Sequence, residues 1–156
     1  MKIALVTHRF AKGEGQGRVN YEVARYAAES GHAVTCVAHE VADDLRSHPK
    51  VTHVAMPSGV APIALIGNVR FAEATHRWLS AHHDKFDVIV SNGCNTFFPA
   101  DVSAVHFVHS AWRQSPVHAA KVESGPRAWY QGLYSAVNAQ WERRALRRVR
   151  AMVAVS

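Results

Sequence analysis

Three closely spaced glycines near the amino terminus are the strongest local signal for ligand binding. Gly13, Gly15 and Gly17 follow a short apolar run and precede Arg18, at the point where a helical pattern begins. Glycines let a ligand approach the backbone, and the free N–H groups at a helix start favour a phosphate or another anion. Arg18 would add a forked cation beside those groups. The pattern indicates a phosphorylated or nucleotide-linked ligand, and an ordinary flexible loop is the alternative.

The spacing of these glycines disfavours two well-known nucleotide motifs. A dinucleotide fingerprint needs G-x-G-x-x-G in a tight turn directly after the strand. Here the spacing is G-x-G-x-G, and residues 8–16 separate the predicted strand from the predicted helix. A Walker A loop needs Gly-Lys followed by Ser or Thr, which the sequence lacks. Neither motif accounts for the glycines.

Eleven histidines raise the question of a metal site. His106 and His109 lie three residues apart on a predicted strand, so their side chains would project to opposite faces and would not hold one ion. We therefore expect no metal. His109 stands out by position, because it falls at the carboxyl end of the fifth predicted strand, where open parallel sheets place their ligands. The alternative is an ordinary solvent-facing or core histidine.

A cluster of arginines ends the last predicted helix. At helical spacing the arginines occupy one side and Trp141, Ala145, Leu146 and Val149 the other, so the helix is amphipathic and basic. Arg143, Arg147 and Arg150 are candidates for contact with an anionic membrane or a partner protein. The alternative is a solvated face that stabilises a helix end. The cluster consists of Arg143, Arg144, Arg147, Arg148 and Arg150.

Nearby aromatic residues do not turn this basic segment into a nucleic-acid site. Tyr130, Tyr134 and Trp141 recur at helical spacing, which is typical of a packed core face. The chain shows no helix-turn-helix, zinc-finger or RNP signature. We expect no nucleic-acid partner.

The elements that would position these residues follow an alternating pattern. Short β-branched runs, most of them apolar on both faces, alternate with segments of helical periodicity, which predicts βαβ units around a parallel sheet. Helices are predicted over 17–30, 63–81 and 126–149. The first buries Val19, Val23, Tyr26 and Ala27, and 57–62 forms a loop. The predicted strands are Lys2–Thr7, Ala33–Ala38, Val51–Met56, Asp87–Ser91, Ala104–Val108 and a buried Ala151–Val155.

Composition agrees with a packed globular domain. The 156 residues are 48% hydrophobic and 19% charged, and the net charge of +6 favours anionic partners without choosing among them. Cys36 and Cys94 sit in apolar runs without metal-type spacing, which indicates a reducing compartment. The sequence shows no signal peptide and no apolar run of membrane-spanning length, so we expect a cytoplasmic protein. Because the chain stops on a core strand, we expect one domain, 1–156, of something longer.

The order of these pieces resembles the N-terminal domain of the family 4 glycosyltransferases. The resemblance begins with the run 2–7, the loop Gly15-Gln16-Gly17-Arg18 and the segment 31–35. It continues through 86–90 and the fifth predicted strand with His109. It ends with Glu142, the segment 144–146 and the closing Val153-Ala154-Val155-Ser156, and therefore spans nearly the whole chain.

The resemblance implies a GT-B enzyme, in which two Rossmann-like domains face a cleft. The N-terminal domain of such an enzyme mostly holds the acceptor and the C-terminal domain a nucleotide-diphosphate sugar, and transfer proceeds with retention and without a metal. Gly15, Gln16, Gly17 and Arg18 would then line the cleft near the donor phosphates or the acceptor. His109 would contact the transferred sugar or stabilise the reacting centre. Asn92, in the altered strand end Ser91-Asn92-Gly93, would also bind substrate.

We therefore predict a Rossmann-like α/β domain with strand order 3-2-1-4-5-6, the acceptor-side half of a hexosyltransferase-type enzyme. The co-substrate is a nucleotide-diphosphate sugar, the acceptor is a sugar or a lipid, and no further cofactor is expected. The donor-binding C-terminal domain is absent from the chain, so the isolated domain should be inactive. Peripheral contact with the inner face of an anionic membrane is also expected. The alternatives are a stand-alone nucleotide-binding Rossmann protein and a non-catalytic module that binds a membrane or a partner.

Overall fold

A computed structural model describes residues 1–13, 15–58 and 64–154. The core is a six-stranded sheet, in which every neighbouring pair of strands is parallel. Its strands are β1 (Lys2–Val6), β3 (Ala33–Ala38), β5 (Val51–Ala55), β6 (Val88–Asn92), β7 (Val102–Val105) and β8 (Ala151–Ala154). They lie in the order β5-β3-β1-β6-β7-β8. Numbered one to six along the chain, this is the order 3-2-1-4-5-6, so the predicted topology is confirmed.

Helices connect these strands and cover the sheet. A two-stranded ribbon, β2 (Arg9–Phe10) with β4 (Glu40–Val41), lies beside the main sheet. A 3-10 turn, His83–Lys85, precedes β6. The predicted loop 57–62 lies mostly outside the described residues, as does Ile63 at the predicted start of the second helix. The helices are α1 (Gly15–Glu29), α2 (Asp43–Arg46), α3 (Ala64–His82), α4 (His109–Gln114), α5 (Ala119–Val122) and α6 (Pro126–Leu146).

Two apolar clusters on opposite faces of the sheet define the three layers. Side chains alternate along β1, so Leu5 enters the cluster on the α1 side while Ala4 and Val6 enter the cluster that contains Phe71 of α3. Phe71 is fully buried, and truncating such a side chain costs about 3–5 kcal/mol. This packing fixes the carboxyl ends of the central strands at one edge of the sheet.

The buried face of α1 differs from the predicted one. Val23 and Tyr26 are exposed, whereas the buried positions are Gly17, Tyr21, Ala24 and Ala28. Small residues at three of these four positions let the helix approach the sheet closely, which outweighs the apolar area of the predicted face. The helix ends where Gly31 takes a left-handed φ of 88°.

The fifth strand of the main sheet starts two residues and ends three residues earlier than predicted. Asp101 fixes its register, because the Asp101 carboxylate accepts a hydrogen bond from Ile89 N at 2.9 Å and Asp101 N donates to Ile89 O at 2.9 Å. Phe107 and Val108 are exposed and outside the strand. The apolar run 104–108 is therefore only partly strand, and His109 opens α4 instead of closing β7.

Two features near the carboxyl terminus also differ from prediction. All four residues of β8 are exposed, so it is an exposed edge strand and not a buried one; Val155 lies outside the described residues. The last helix ends at Leu146, and Arg147 and Arg148 form a turn after it. The backbone N–H of Arg147 donates to Arg143 O at 3.3 Å and closes the helix.

Candidate functional site

A polar cavity of about 310 Å³ opens at the carboxyl ends of the central strands. Each wall comes from a different element, because parallel strands end at the same edge of the sheet. Asn92 ends β6, and Gly93 directly after it has a φ of 57°, which turns the chain toward Cys94. The other polar lining residues are His8, Gln16, Asn68, Cys94, Asn95, His109, Tyr134, Asn138 and Glu142.

A chain of amide hydrogen bonds holds one wall in place. Gln16 Nε2 donates to Asn92 Oδ1 at 2.8 Å, and Asn92 Nδ2 donates to Asn20 Oδ1 at 3.0 Å. Asn20 Nδ2 in turn donates to Thr7 Oγ1 at 3.0 Å. The Oε1 atom of Gln16 has no partner among the described residues, so it is left to accept a hydrogen bond from a ligand hydroxyl.

Glu142 anchors the segment that carries His109. The backbone N–H of His109 donates to Glu142 Oε2 at 2.7 Å, and Ser110 Oγ donates to Oε1 at 3.4 Å. Glu142 is 5% exposed, so its carboxylate makes these bonds away from bulk water. The start of a helix carries free N–H groups and a partial positive charge. The Glu142 carboxylate accepts a hydrogen bond from one of these groups, and its negative charge is favourable there.

The His109 ring is neutral and available to a ligand. Burial lowers the pKa of His109, and the Glu142 carboxylate opposes that shift. The buried Nδ1 atom has no hydrogen-bond partner among the described residues. The ring lies edge-on to Phe107 and Tyr134, with centroid distances of 4.9 and 6.1 Å. A neutral imidazole held in this way both donates and accepts a hydrogen bond.

A second neutral histidine lies on the opposite wall. His8 follows β1 and packs on Phe71, with ring centroids 4.0 Å apart. Burial, helped by the charges of His39 and Arg9, lowers the pKa of His8 to about 4. Two neutral imidazoles therefore face one cavity at neutral pH.

The helical wall contributes a phenol and two amides. Asn68 Nδ2 of α3 donates to the Tyr134 hydroxyl of α6 at 3.2 Å, which joins the two helices across the cavity. Asn138 Nδ2 donates to Tyr134 O at 2.7 Å. Burial raises the pKa of Tyr134, so the phenol stays protonated and can donate to a ligand.

Cys94 is a half-buried thiol and not a reactive one. Burial raises the pKa of Cys94 to about 11, and the Glu142 carboxylate adds to that shift. At neutral pH the group is therefore a thiol, which is a poor nucleophile.

The structure separates the residues of the glycine loop. Gly15 begins α1 and is exposed, while Gly17 is buried against Ala11, whose N–H donates to Gly17 O at 3.2 Å. Arg18 lies along the surface of α1, where its Nε donates to Glu22 at 2.8 Å and Nη1 to Lys12 O at 3.2 Å. Among the described residues of this loop, Gln16 alone lines the cavity, together with Asn92 and His109. The binding roles of Gly15, Gly17 and Arg18 stay predictions.

The arginines of the predicted membrane face lie outside this cavity. Arg143, Arg147 and Arg150 are exposed, and Arg150 lies 3.6 Å from Asp101. Arg144 and Arg148 line a separate cavity of about 360 Å³, walled by Phe97, Phe98 and Trp141. Most residues that line this second cavity are apolar, whereas most of those that line the first are polar. We therefore assign ligand binding through hydrogen bonds to the first cavity.

The sequence does not single out three lining residues. Burial of His8 depends on Phe71, and the Tyr134 hydroxyl meets Asn68 from 66 positions away. Spacing along the chain predicts neither contact. The sequence does contain a signal for Glu142. It is the one acidic residue between Pro126 and Leu146, and helical spacing puts it on the side of the helix away from the arginines.

The described residues, 1–13, 15–58 and 64–154, give two further findings. They include no group of three His, Cys, Asp or Glu side chains arranged to hold a metal ion. Within the same ranges, no helix has the length and apolar character needed to cross a bilayer.

A three-layer parallel α/β domain with a polar crevice at its strand ends is the architecture of a Rossmann-like ligand-binding domain. The model of Glycosyltransferase Family 4 matches residues 13–156. The chain therefore belongs to glycosyltransferase family 4, and it corresponds to the N-terminal domain of that family. No curated protein sequence matches the chain.

Proposed function

We propose that this domain is the acceptor-side half of a hexosyltransferase that uses a nucleotide-diphosphate sugar and retains the anomeric configuration. The observation that carries the proposal is the chemistry of the cavity lining. Amides, a phenol and two neutral imidazoles converge on one cavity, and these groups match sugar hydroxyls, which both donate and accept hydrogen bonds. Family membership supports sugar transfer as the reaction.

The same lining disfavours a phosphate inside the cavity. No Lys or Arg is among the described residues that line it, and the buried Glu142 carboxylate would repel an anion. We therefore assign the cavity to the uncharged reacting sugars. The donor diphosphate would lie outside it, where Gly15 begins α1 and exposes backbone N–H groups.

The cations that stabilise the departing diphosphate must come from elsewhere. Such stabilisation is often the largest single contribution to catalysis of group transfer. We propose that a C-terminal donor-binding domain supplies it, as the family resemblance implies, and that residues 1–156 alone transfer sugar very slowly. Arg18 can contribute only after it leaves Glu22, its present partner at 2.8 Å.

His109 is the proposed catalytic residue within this half. As a neutral ring it can hold a hydroxyl of the transferred sugar, or share a proton with it as charge develops in the transition state. Glu142 acts as a positioning residue, because it fixes the backbone of His109 and does not itself need to touch substrate. We propose that no metal takes part.

We further propose a cytoplasmic setting. Cys36 and Cys94 form no disulfide, and burial raises the pKa of Cys36 to about 12, which suits a reducing compartment.

Release of nucleotide diphosphate from a panel of nucleotide-diphosphate hexoses, with simple sugars and glycolipids as acceptors, tests the proposal. The full-length protein should release the nucleotide only with an acceptor present, and NMR of the product should show the donor's anomeric configuration. A product of inverted configuration would contradict retention. Failure of every donor and acceptor, in a protein shown to be folded, would contradict the assignment of the cavity to sugars.

A further inference from the structure

The outer face of α6 changes from apolar to basic along its length. Residues at spacings of three and four share one face of a helix. Trp129 and Leu133 lie at the start of this face and are 72% and 41% exposed. Arg143 and Arg147 lie at its end and are also exposed. We call this set the outer α6 stripe; its members are Trp129, Leu133, Ala136, Gln140, Arg143 and Arg147.

The apolar end of the outer α6 stripe borders an open groove. The groove has a volume of about 420 Å³ and runs between α5 and α6, with Trp129 and Leu133 on one side and Ala120 on the other. Trp129 is the one exposed tryptophan of the four in the chain; the other three are half-buried. A large aromatic side chain in this position leaves apolar area in water that a partner would cover.

The basic end of the stripe is not neutralised by the protein. Neither Arg143 nor Arg147 has a carboxylate within ion-pair distance among the described residues. Glu142, the acid closest in sequence, is buried and turned toward His109. The two positive charges therefore act outward.

We propose that the outer α6 stripe docks the protein on an anionic lipid bilayer, with Trp129 and Leu133 in the interfacial region and Arg143 and Arg147 on lipid phosphates. Tryptophan favours the headgroup level because its ring is apolar and its N–H is polar. Arginines near the surface are attracted by anionic lipids. Arg147 lies 18 positions after Trp129, which is about 27 Å at helical rise, so the helix would lie along the membrane surface.

The arrangement of charge disfavours a second copy of the chain as the occupant. If two such helices paired in parallel, Arg143 and Arg147 would face the same arginines of the other copy. If they paired antiparallel, Trp129 and Leu133 would cover the guanidinium groups of Arg143 and Arg147 and bury charges that no carboxylate neutralises. A bilayer avoids both problems, because it offers apolar and anionic groups at neighbouring depths.

Co-sedimentation with vesicles tests the proposal. The protein should bind vesicles of equimolar phosphatidylcholine and phosphatidylglycerol and not vesicles of phosphatidylcholine alone, and binding should weaken as salt is added. Arg143→Gln with Arg147→Gln should lower the partition coefficient about thirty-fold at low salt. Trp129→Ala should lower it about tenfold. Both replacements are on the surface, and circular dichroism checks that the fold is kept.

Two matched controls separate docking from general surface effects. Tyr26→Ala removes an aromatic side chain from α1 that is as exposed as Trp129, at 72%. Lys50→Gln with Lys85→Gln removes two exposed charges that precede β5 and β6 and lie outside the outer α6 stripe. Both controls should bind like the unchanged protein. In addition, vesicles should shift the tryptophan emission to the blue, and Trp129→Phe should remove that shift.

Three outcomes would overturn the proposal. The first is no binding to the anionic vesicles at low salt. The second is binding that the Lys50 and Lys85 replacements weaken as much as the arginine replacements, since that is adsorption by net charge alone. The third is a change in oligomeric state, measured by analytical ultracentrifugation, in Trp129→Ala with unchanged vesicle binding, since the stripe would then be a contact between copies.

Discussion

Replacing Glu142 tests whether one buried carboxylate holds the catalytic segment. Its Oε2 atom accepts the His109 N–H at 2.7 Å, and its charge acts on the ring of His109 and on the thiol of Cys94. Glu142→Ala removes the acceptor and the charge together. Glu142→Gln keeps one acceptor oxygen for the His109 N–H, removes the charge, and puts an NH₂ group in place of the oxygen that accepts from Ser110, so the two variants separate the acceptor of the His109 N–H from the charge.

The size of the effect follows from burial. A hydrogen bond to a charged group contributes about 1.5–3 kcal/mol, and Glu142→Ala also leaves the His109 N–H unpaired. In a domain of this length 1 kcal/mol shifts Tm by about 2–4 °C, so Glu142→Ala should melt about 5 °C lower and Glu142→Gln less. Glu29→Gln is the control: it breaks an exposed ion pair with Arg25, and such pairs contribute about 0–1 kcal/mol.

The reactivity of the Cys94 thiol gives a second measurement, which a loss of stability alone would not change. The Glu142 carboxylate raises the pKa of Cys94, so that pKa should fall in Glu142→Gln while burial keeps it above the usual range. Alkylation of Cys94 at alkaline pH, followed by mass spectrometry, should therefore be faster in Glu142→Gln. Unchanged alkylation, together with a Glu142→Ala variant as stable as Glu29→Gln, would refute the role given to this carboxylate.

Three further predictions concern the same domain. Gly17→Ala should fold with equal or higher stability, because a Cβ there would lie 3.5 Å from Ala11 Cβ, an ordinary contact; Gly17→Val should be less stable, and denaturant unfolding measures both. The pKa of His8 in the folded protein is about 4, below its usual 6.5, so the unfolded chain takes up a proton first as pH falls. Between pH 6.5 and pH 4 the free energy of unfolding should therefore decrease by about 2–3 kcal/mol, and His8→Gln should remove most of that decrease. Gln16→Ala should raise KM for the sugar that occupies the cavity about three- to tenfold, the loss of one neutral hydrogen bond, while Gln140→Ala, on an exposed glutamine outside the cavity, leaves KM unchanged in steady-state kinetics.

The sheet was predictable because its signal is local and repeated. Runs such as 33–38 and 88–92 are apolar on both faces, and the rules for parallel connections leave few ways to order such strands. The strand order is therefore confirmed, and most helix bounds agree within a few residues. The fifth strand shows the limit, because Asp101 sets its register through a bond to Ile89 that no apolar pattern reveals.

The candidate site was predictable only where its residues follow strand ends. Asn92 ends β6, His109 follows β7, and Gln16 lies in the glycine loop, so the topology brings all three to one cavity. His8, Tyr134 and Glu142 line the same cavity through contacts that depend on packing of α3 and α6. Arg18 shows the reverse case: a residue of suitable type and position pairs with a neighbour on its own helix.

The most direct test of the central claim compares His106 and His109, which both lie in the segment that follows β7. His109 lines the polar cavity, whereas His106 lines a separate pocket with Val19 and Val23 of α1. Each has a buried ring nitrogen, Nδ1 of His109 and Nε2 of His106, with no hydrogen-bond partner in the part of the chain that the structure describes, so the two differ chiefly in where they lie. In a protein that carries the proposed donor-binding domain, assayed with a nucleotide-diphosphate hexose, His109→Ala should lower kcat at least tenfold, and by about 10²–10³ if the ring acts in the transition state. His106→Ala should leave kcat nearly unchanged. A folded His109→Ala variant with full turnover, or an equal loss in both variants, would contradict the assignment of this cavity as the site of sugar transfer.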